Sequence, residues 1–73
     1  MIFEQVLGSS QITAMAHNSD TSEMFINFHS GVVYKYLNVT TDIYKQIRNA
    51  ESVGSAFNKL VKCHPAIYPY SKV

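Results

Sequence analysis

The sequence predicts an α+β domain: an antiparallel meander of three to four strands packed against two C-terminal helices. Two observations carry this. Residues 23–37 contain two alternating apolar runs that meet at Ser30-Gly31, the pattern of a β-hairpin. Residues 41–61 then place apolar side chains at helical spacing in two blocks, each preceded by a Thr or Ser suited to capping.

Taken in order, Met1 to Leu7 is strongly apolar, with Ile2, Phe3, Val6 and Leu7 around Glu4-Gln5, and Gly8-Ser9-Ser10 breaks the run. Residues 1–8 are therefore either an edge strand on the domain's own core or an apolar arm for a partner. Gln11 to Ala16 reads as a strand with Ile12, Ala14 and Ala16 on one face and Thr13 and Met15 on the other. Residues 17–22 are a turn by composition. Glu23 to His29 is a strand with Met24, Ile26 and Phe28 on one side. Gly31 supplies a positive φ, and Val32 to Leu37 returns with Tyr34 and Tyr36 on one face.

Thr40 or Thr41 caps a helix whose apolar stripe is Ile43, Ile47 and Ala50, and which ends near Ala50. Ser52 caps a second helix carrying Val53, Ala56, Phe57, Leu60 and Val61. Gly54 lowers the propensity of that helix, and a close approach to the sheet would explain a glycine there. Pro65 stops it at or before His64. Residues 66–73 read as an extended, irregular tail. The expected core is Met24, Ile26, Phe28, Tyr34, Tyr36, Ile43, Ile47, Phe57 and Leu60.

With 73 residues, 47% of them apolar, one domain spanning 1–73 is expected, with a real but small core. No stretch is long enough to span a membrane, and no secretion signal is visible at the N-terminus. The lone Cys63 excludes an internal disulfide and fits a cytoplasmic protein. Net charge is +1, but it is lopsided: residues 1–34 sum to −3 and residues 35–73 to +4. Acidic and basic sides are expected if the halves separate in space.

Reaction chemistry is not evident. His17, His29, His64 and Cys63 match no zinc spacing, and no metal or other cofactor is expected. Cys63 and His64 are neighbours that point apart, with no orienting acid. The five acids form no catalytic pair, and no glycine loop cradles phosphate. Two binding roles remain. A protein partner would use Ile2, Phe3, Val6 and Leu7 with Lys45 and Arg48, or an open sheet edge, which a second copy joining as a weak homodimer would also use. A nucleic acid would use Lys35, between Tyr34 and Tyr36, with Lys45, Arg48, Lys59 and Lys62. Against the latter, Tyr34 and Tyr36 share the face that must be core.

The ordered set Ser9-Ser10, Ile12, Met24-x-Ile26-x-Phe28, Ser30-Gly31, Tyr34-x-Tyr36, Val39, Tyr44, Ala50, Ser52, Gly54, Phe57-Asn58 and Pro69-Tyr70 resembles the KTSC domain family. The chain departs from it at Ala16-His17-Asn18, where the family usually has a Gly-Tyr-Asp-like step, and at Thr40, where it usually has Pro. The resemblance implies this fold, with nucleic-acid binding as the suggested role. The whole chain also resembles a small bacteriophage regulator of transcription. That likeness implies a non-enzymatic protein that binds a host RNA polymerase subunit, inhibits initiation and acts as an antiterminator. This is the leading expectation, with the nucleic-acid module second. An oligomeric small-ligand binder is third.

Overall fold

A computed structural model describes residues 2–73; Met1, the first residue of the expected arm, lies outside them. The chain forms a five-stranded antiparallel sheet in simple sequential order. Its strands are β1 (Glu4–Gln5), β2 (Ile12–Asn18), β3 (Glu23–Phe28), β4 (Val33–Tyr36) and β5 (Tyr70–Lys72). Between β4 and β5 run α1 (Thr41–Arg48) and α2 (Val53–Phe57), the latter continuing into a π-helical turn, Asn58–Lys62. The α+β class stands as predicted, with one strand more than expected.

The extra strand comes from the tail. Residues 70–72 are not irregular: they pair antiparallel with β4, Tyr70 opposite Tyr36 and Lys72 opposite Tyr34. The Leu37 amide donates to the Pro69 carbonyl at 2.9 Å, and the Asn38 side-chain amide donates to the Ile67 carbonyl at 3.2 Å. Pro69 has no N–H to offer the ladder, so strand pairing begins after it.

The β3–β4 connection is the four-residue stretch 29–32. The Gly31 amide donates to the Phe28 carbonyl at 2.9 Å, and the Phe28 amide donates to the Val32 carbonyl at 3.0 Å. Gly31 takes φ +88°, the left-handed position this loop requires. In β2 the expected face assignment fails. An irregularity between Ile12 and Ala14 shifts the register, so Ile12 faces Phe28 while Met15 faces Ile26. One added residue flips parity, and Ile12 and Met15 both enter the core.

The core is Val6, Ile12, Met15, Ala16, Met24, Ile26, Tyr36, Val39, Ile47, Phe57 and Val61. Phe28, Tyr34, Ile43 and Leu60, expected inside, are half-buried and pack against it. Thr40 caps α1, accepting from the Ile43 amide, and Ser52 caps α2 from the Ser55 amide. α1 ends at Arg48, two residues early. Gly54 lies under the loop before β2 rather than against the sheet. A Cβ there would meet Ser9 Oγ at 3.5 Å, an ordinary contact, so sterics do not demand glycine.

One polar cluster ties β1 to α1. The Glu4 carboxylate accepts from the Tyr44 hydroxyl at 2.7 Å and from Arg48 Nε at 3.0 Å. Tyr44 also stacks on His17, ring centres 5.0 Å apart, and His17 Nε2 lies 2.6 Å from the Val39 carbonyl oxygen. The Tyr44 hydroxyl bond, with help from Arg48, holds the Glu4 carboxyl below its ordinary value of 4.5. Its stabilisation is therefore present above that value and is lost as pH falls through the lowered one. The pair is half exposed, so Glu4→Gln is expected to cost under about 1 kcal/mol at pH 7. Urea midpoints should show this gap closing toward pH 3. A gap that widens with acid would reject the clamp.

Candidate functional site

The charge halves do not separate. β3 lies beside β4, so Lys35 pairs with Glu23 at 3.5 Å across the outer face of the sheet. Arg48 pairs with Glu4 at 3.0 Å. Two acids of the first half are thus paired with cations of the second. Lys45, Lys59, Lys62 and Lys72 make no ion pair among the described residues.

The apolar arm divides as well. Val6 is buried in the core, and Phe3 packs edge-on against Phe25, ring centres 6.4 Å apart. Ile2 and Leu7 are 86% and 83% exposed. Of the six residues expected to meet a protein partner, Val6, Leu7 and Arg48 border one shallow depression beside β1, with Val6 mostly buried and Arg48 tied to Glu4, while Lys45 is on α1. The five cations expected to meet nucleic acid are spread over the outer sheet face, α1 and the π-helical turn.

What the fold does assemble is an aromatic cleft of about 630 Å³, open to solvent, between the inner face of the sheet and the end of the helical layer. That volume lies within the ~300–1,000 Å³ usual for ligand sites. β3, β4 and β5 contribute Phe28, Tyr34, Tyr36 and Tyr70. The helical side contributes Val61, Lys62, Pro65 and Tyr68; the loops add Gln11 and His29. Directly opposed residues share a face of the sheet, which brings Tyr34, Tyr36 and Tyr70 together. The rings meet mostly edge to face: Phe28–Tyr34 and Tyr34–Tyr70 at 5.8 Å, and Tyr36–Phe57 at 5.2 Å. Tyr36–Tyr70 is tilted at 5.6 Å. Edge-to-face packing of this kind is an arrangement aromatic rings prefer.

No Asp or Glu lines this cleft. Lys62 is on its helical wall, and Lys72 stands opposite Tyr34 in register. The π-helical turn sets Lys62: the Cys63 amide bonds to the Asn58 carbonyl at 3.0 Å, five residues back. His29 is fixed through Nε2, 2.9 Å from the Ser9 carbonyl oxygen. Cys63 is a free, exposed thiol, and no cluster of metal-ligating side chains occurs among the described residues. No helix among them is long and apolar enough to cross a membrane.

The sequence reading placed Tyr34 and Tyr36 on the inner face but missed Tyr68, Tyr70 and His29 as site residues. The available signal was Tyr68-Pro69-Tyr70, two aromatics around a proline that immediately precedes an edge strand.

The model of the KTSC domain matches residues 8–64, most of the chain. The chain belongs to the KTSC family. A crystal structure of a KTSC domain protein from Yersinia pestis superposes with TM-score 0.87 at 24% identity, covering 99% of this chain and 96% of that one. It shares the fold. An uncharacterized protein of Stutzerimonas stutzeri (strain A1501) is 27% identical over 67 residues, 92% of each chain. A lysine–tRNA ligase of Nostoc punctiforme (strain ATCC 29133 / PCC 73102) is 36% identical over 53 residues. Those residues are 73% of this KTSC chain but 9% of the ligase, so the likeness concerns one small part of that enzyme.

Proposed function

We propose that this KTSC protein binds single-stranded nucleic acid, taking bases into the aromatic cleft and phosphates on the lysines around it. The supporting observation is the cleft's chemistry: four tyrosines, Lys62 on the wall and no carboxylate in the lining. Exposed aromatic faces beside cations suit an unpaired strand, because every base has a face to stack. A duplex hides those faces. The likeness to part of a lysine–tRNA ligase favours RNA as the strand. The net charge of +1 gives little long-range attraction, so stacking carries most of the affinity.

The test is fluorescence anisotropy with a labelled RNA hexamer and its duplex, from 50 to 200 mM salt. The single strand should bind better. Three lysines, Lys59, Lys62 and Lys72, should give a log–log salt slope of about −2. Lys62→Glu should weaken binding about tenfold and flatten the slope. Salt-independent binding, or preference for the duplex, rejects the reading.

A second reading is the RNA polymerase-binding regulator of initiation and termination that the phage likeness implies. The exposed Ile2 and Leu7 favour a protein contact there. Polymerase subunits recovered on tagged protein from nuclease-treated lysate, and lost with Leu7→Asp, would support it. Both readings are non-enzymatic: each works by occupancy, and no bond is made or broken.

A further inference from the structure

Phe28 and Phe57 show what a ring needs in order to pack beside this cleft, and neither carries a hydroxyl. Tyr36 is different. It is 5% exposed, more buried than Tyr34, Tyr68 or Tyr70, and its ring packs against Phe57. Yet its hydroxyl makes no hydrogen bond among the described residues, whereas that of Tyr44 does. No fully enclosed side-chain oxygen or nitrogen among them lacks a partner. The Tyr36 hydroxyl therefore reaches the cleft it lines. Phenylalanine would fill the same space without a polar group to desolvate. Water reaches that hydroxyl in the open cleft, and a ligand that displaces the water without replacing its hydrogen bond leaves the hydroxyl unpaired at a cost.

We infer that Tyr36 selects the base: one unstacked nucleobase enters the cleft edge-first among the tyrosine rings, and the Tyr36 hydroxyl hydrogen-bonds its polar edge. This rests on the nucleic-acid reading above and adds to it that the cleft discriminates between bases. Stacking alone tolerates any base. A site that must satisfy a buried polar group rejects a ligand that leaves it unpaired. Tyr34 and Tyr70 are more exposed and supply ring faces. Burial, with the neighbouring tyrosines adding, pushes the Tyr36 phenol up to about 12, so it remains a donor throughout the neutral range.

The experiment compares the wild-type chain with Tyr36→Phe, using labelled U6, C6 and A6 RNA and a U6 with one abasic position. Circular dichroism and thermal unfolding should show the variant folded, with a midpoint equal to or above wild type. Wild type is expected to prefer one base about tenfold. Tyr36→Phe should lose about tenfold on that base alone, bringing the three oligomers together. The salt slope should not change. A wild type without preference, or a variant that keeps it, overturns the inference and leaves the nucleic-acid reading standing. If no oligomer binds the wild type, or a proline-rich hexapeptide binds in their place, both fall.

Discussion

Phe57→Ala is expected to lower the thermal midpoint by about 12 °C or more, and to leave part of the population unfolded at 37 °C. Phe57 is 1% exposed and joins the two layers. Its ring meets Tyr36 at 5.2 Å and Phe28 at 6.1 Å, while its backbone closes α2. Truncating a buried Phe to Ala costs about 3–5 kcal/mol from lost transfer energy and the cavity left behind. A chain of 73 residues has only about 4–11 kcal/mol in total. The substitution therefore removes a large share of the stability. Phe57→Leu, which keeps more of the volume, should cost clearly less. Thermal unfolding by circular dichroism checks both. A drop below about 5 °C for alanine would show that the layers are not joined through this ring.

The second large effect is on binding. Tyr70→Ala should weaken single-stranded RNA by about five- to 150-fold, equal to the loss of one stacked base. Tyr70 is 58% exposed, so its removal should leave the fold intact. Its ring lies against both Tyr34 and Tyr36, so one wall of the cleft goes with it. Tyr70→Phe keeps the ring and should bind nearly as wild type, which separates stacking from hydroxyl chemistry. Titration by anisotropy at fixed salt reads the result. Unchanged affinity in the alanine variant would place the strand somewhere other than this cleft.

Much of the fold was legible locally. Thr40 and Ser52 announced the two helix starts, because a side-chain oxygen there answers an amide two or three residues on. The parity of Met24, Ile26, Tyr34 and Tyr36 named the inner face, because strand neighbours alternate. Ser30-Gly31 marked the hairpin, because the loop needs a residue tolerant of positive φ. Where a long-range partner decided the outcome, local reading failed. The β2 irregularity moved Met15 into the core, and nothing in Gln11–Ala16 shows it without β3 alongside. β5 was missed because three residues after a proline carry too little pattern to predict a strand. They become one only when β4 offers its edge.

The candidate site divides in the same way. By itself the sequence determined an α+β KTSC-type body and an inner tyrosine face, since these follow from periodicity, capping and residue chemistry. Only the tertiary structure decided which cations are free and where ligands can sit. Pairing of β3 with β4 spent Lys35 on Glu23, and docking of β1 on α1 spent Arg48 on Glu4. Return of the tail to β4 set Tyr70 beside Tyr36, 34 positions apart in the chain, and closed the cleft. These are pairings between segments far apart in the chain, which local periodicity and capping do not specify.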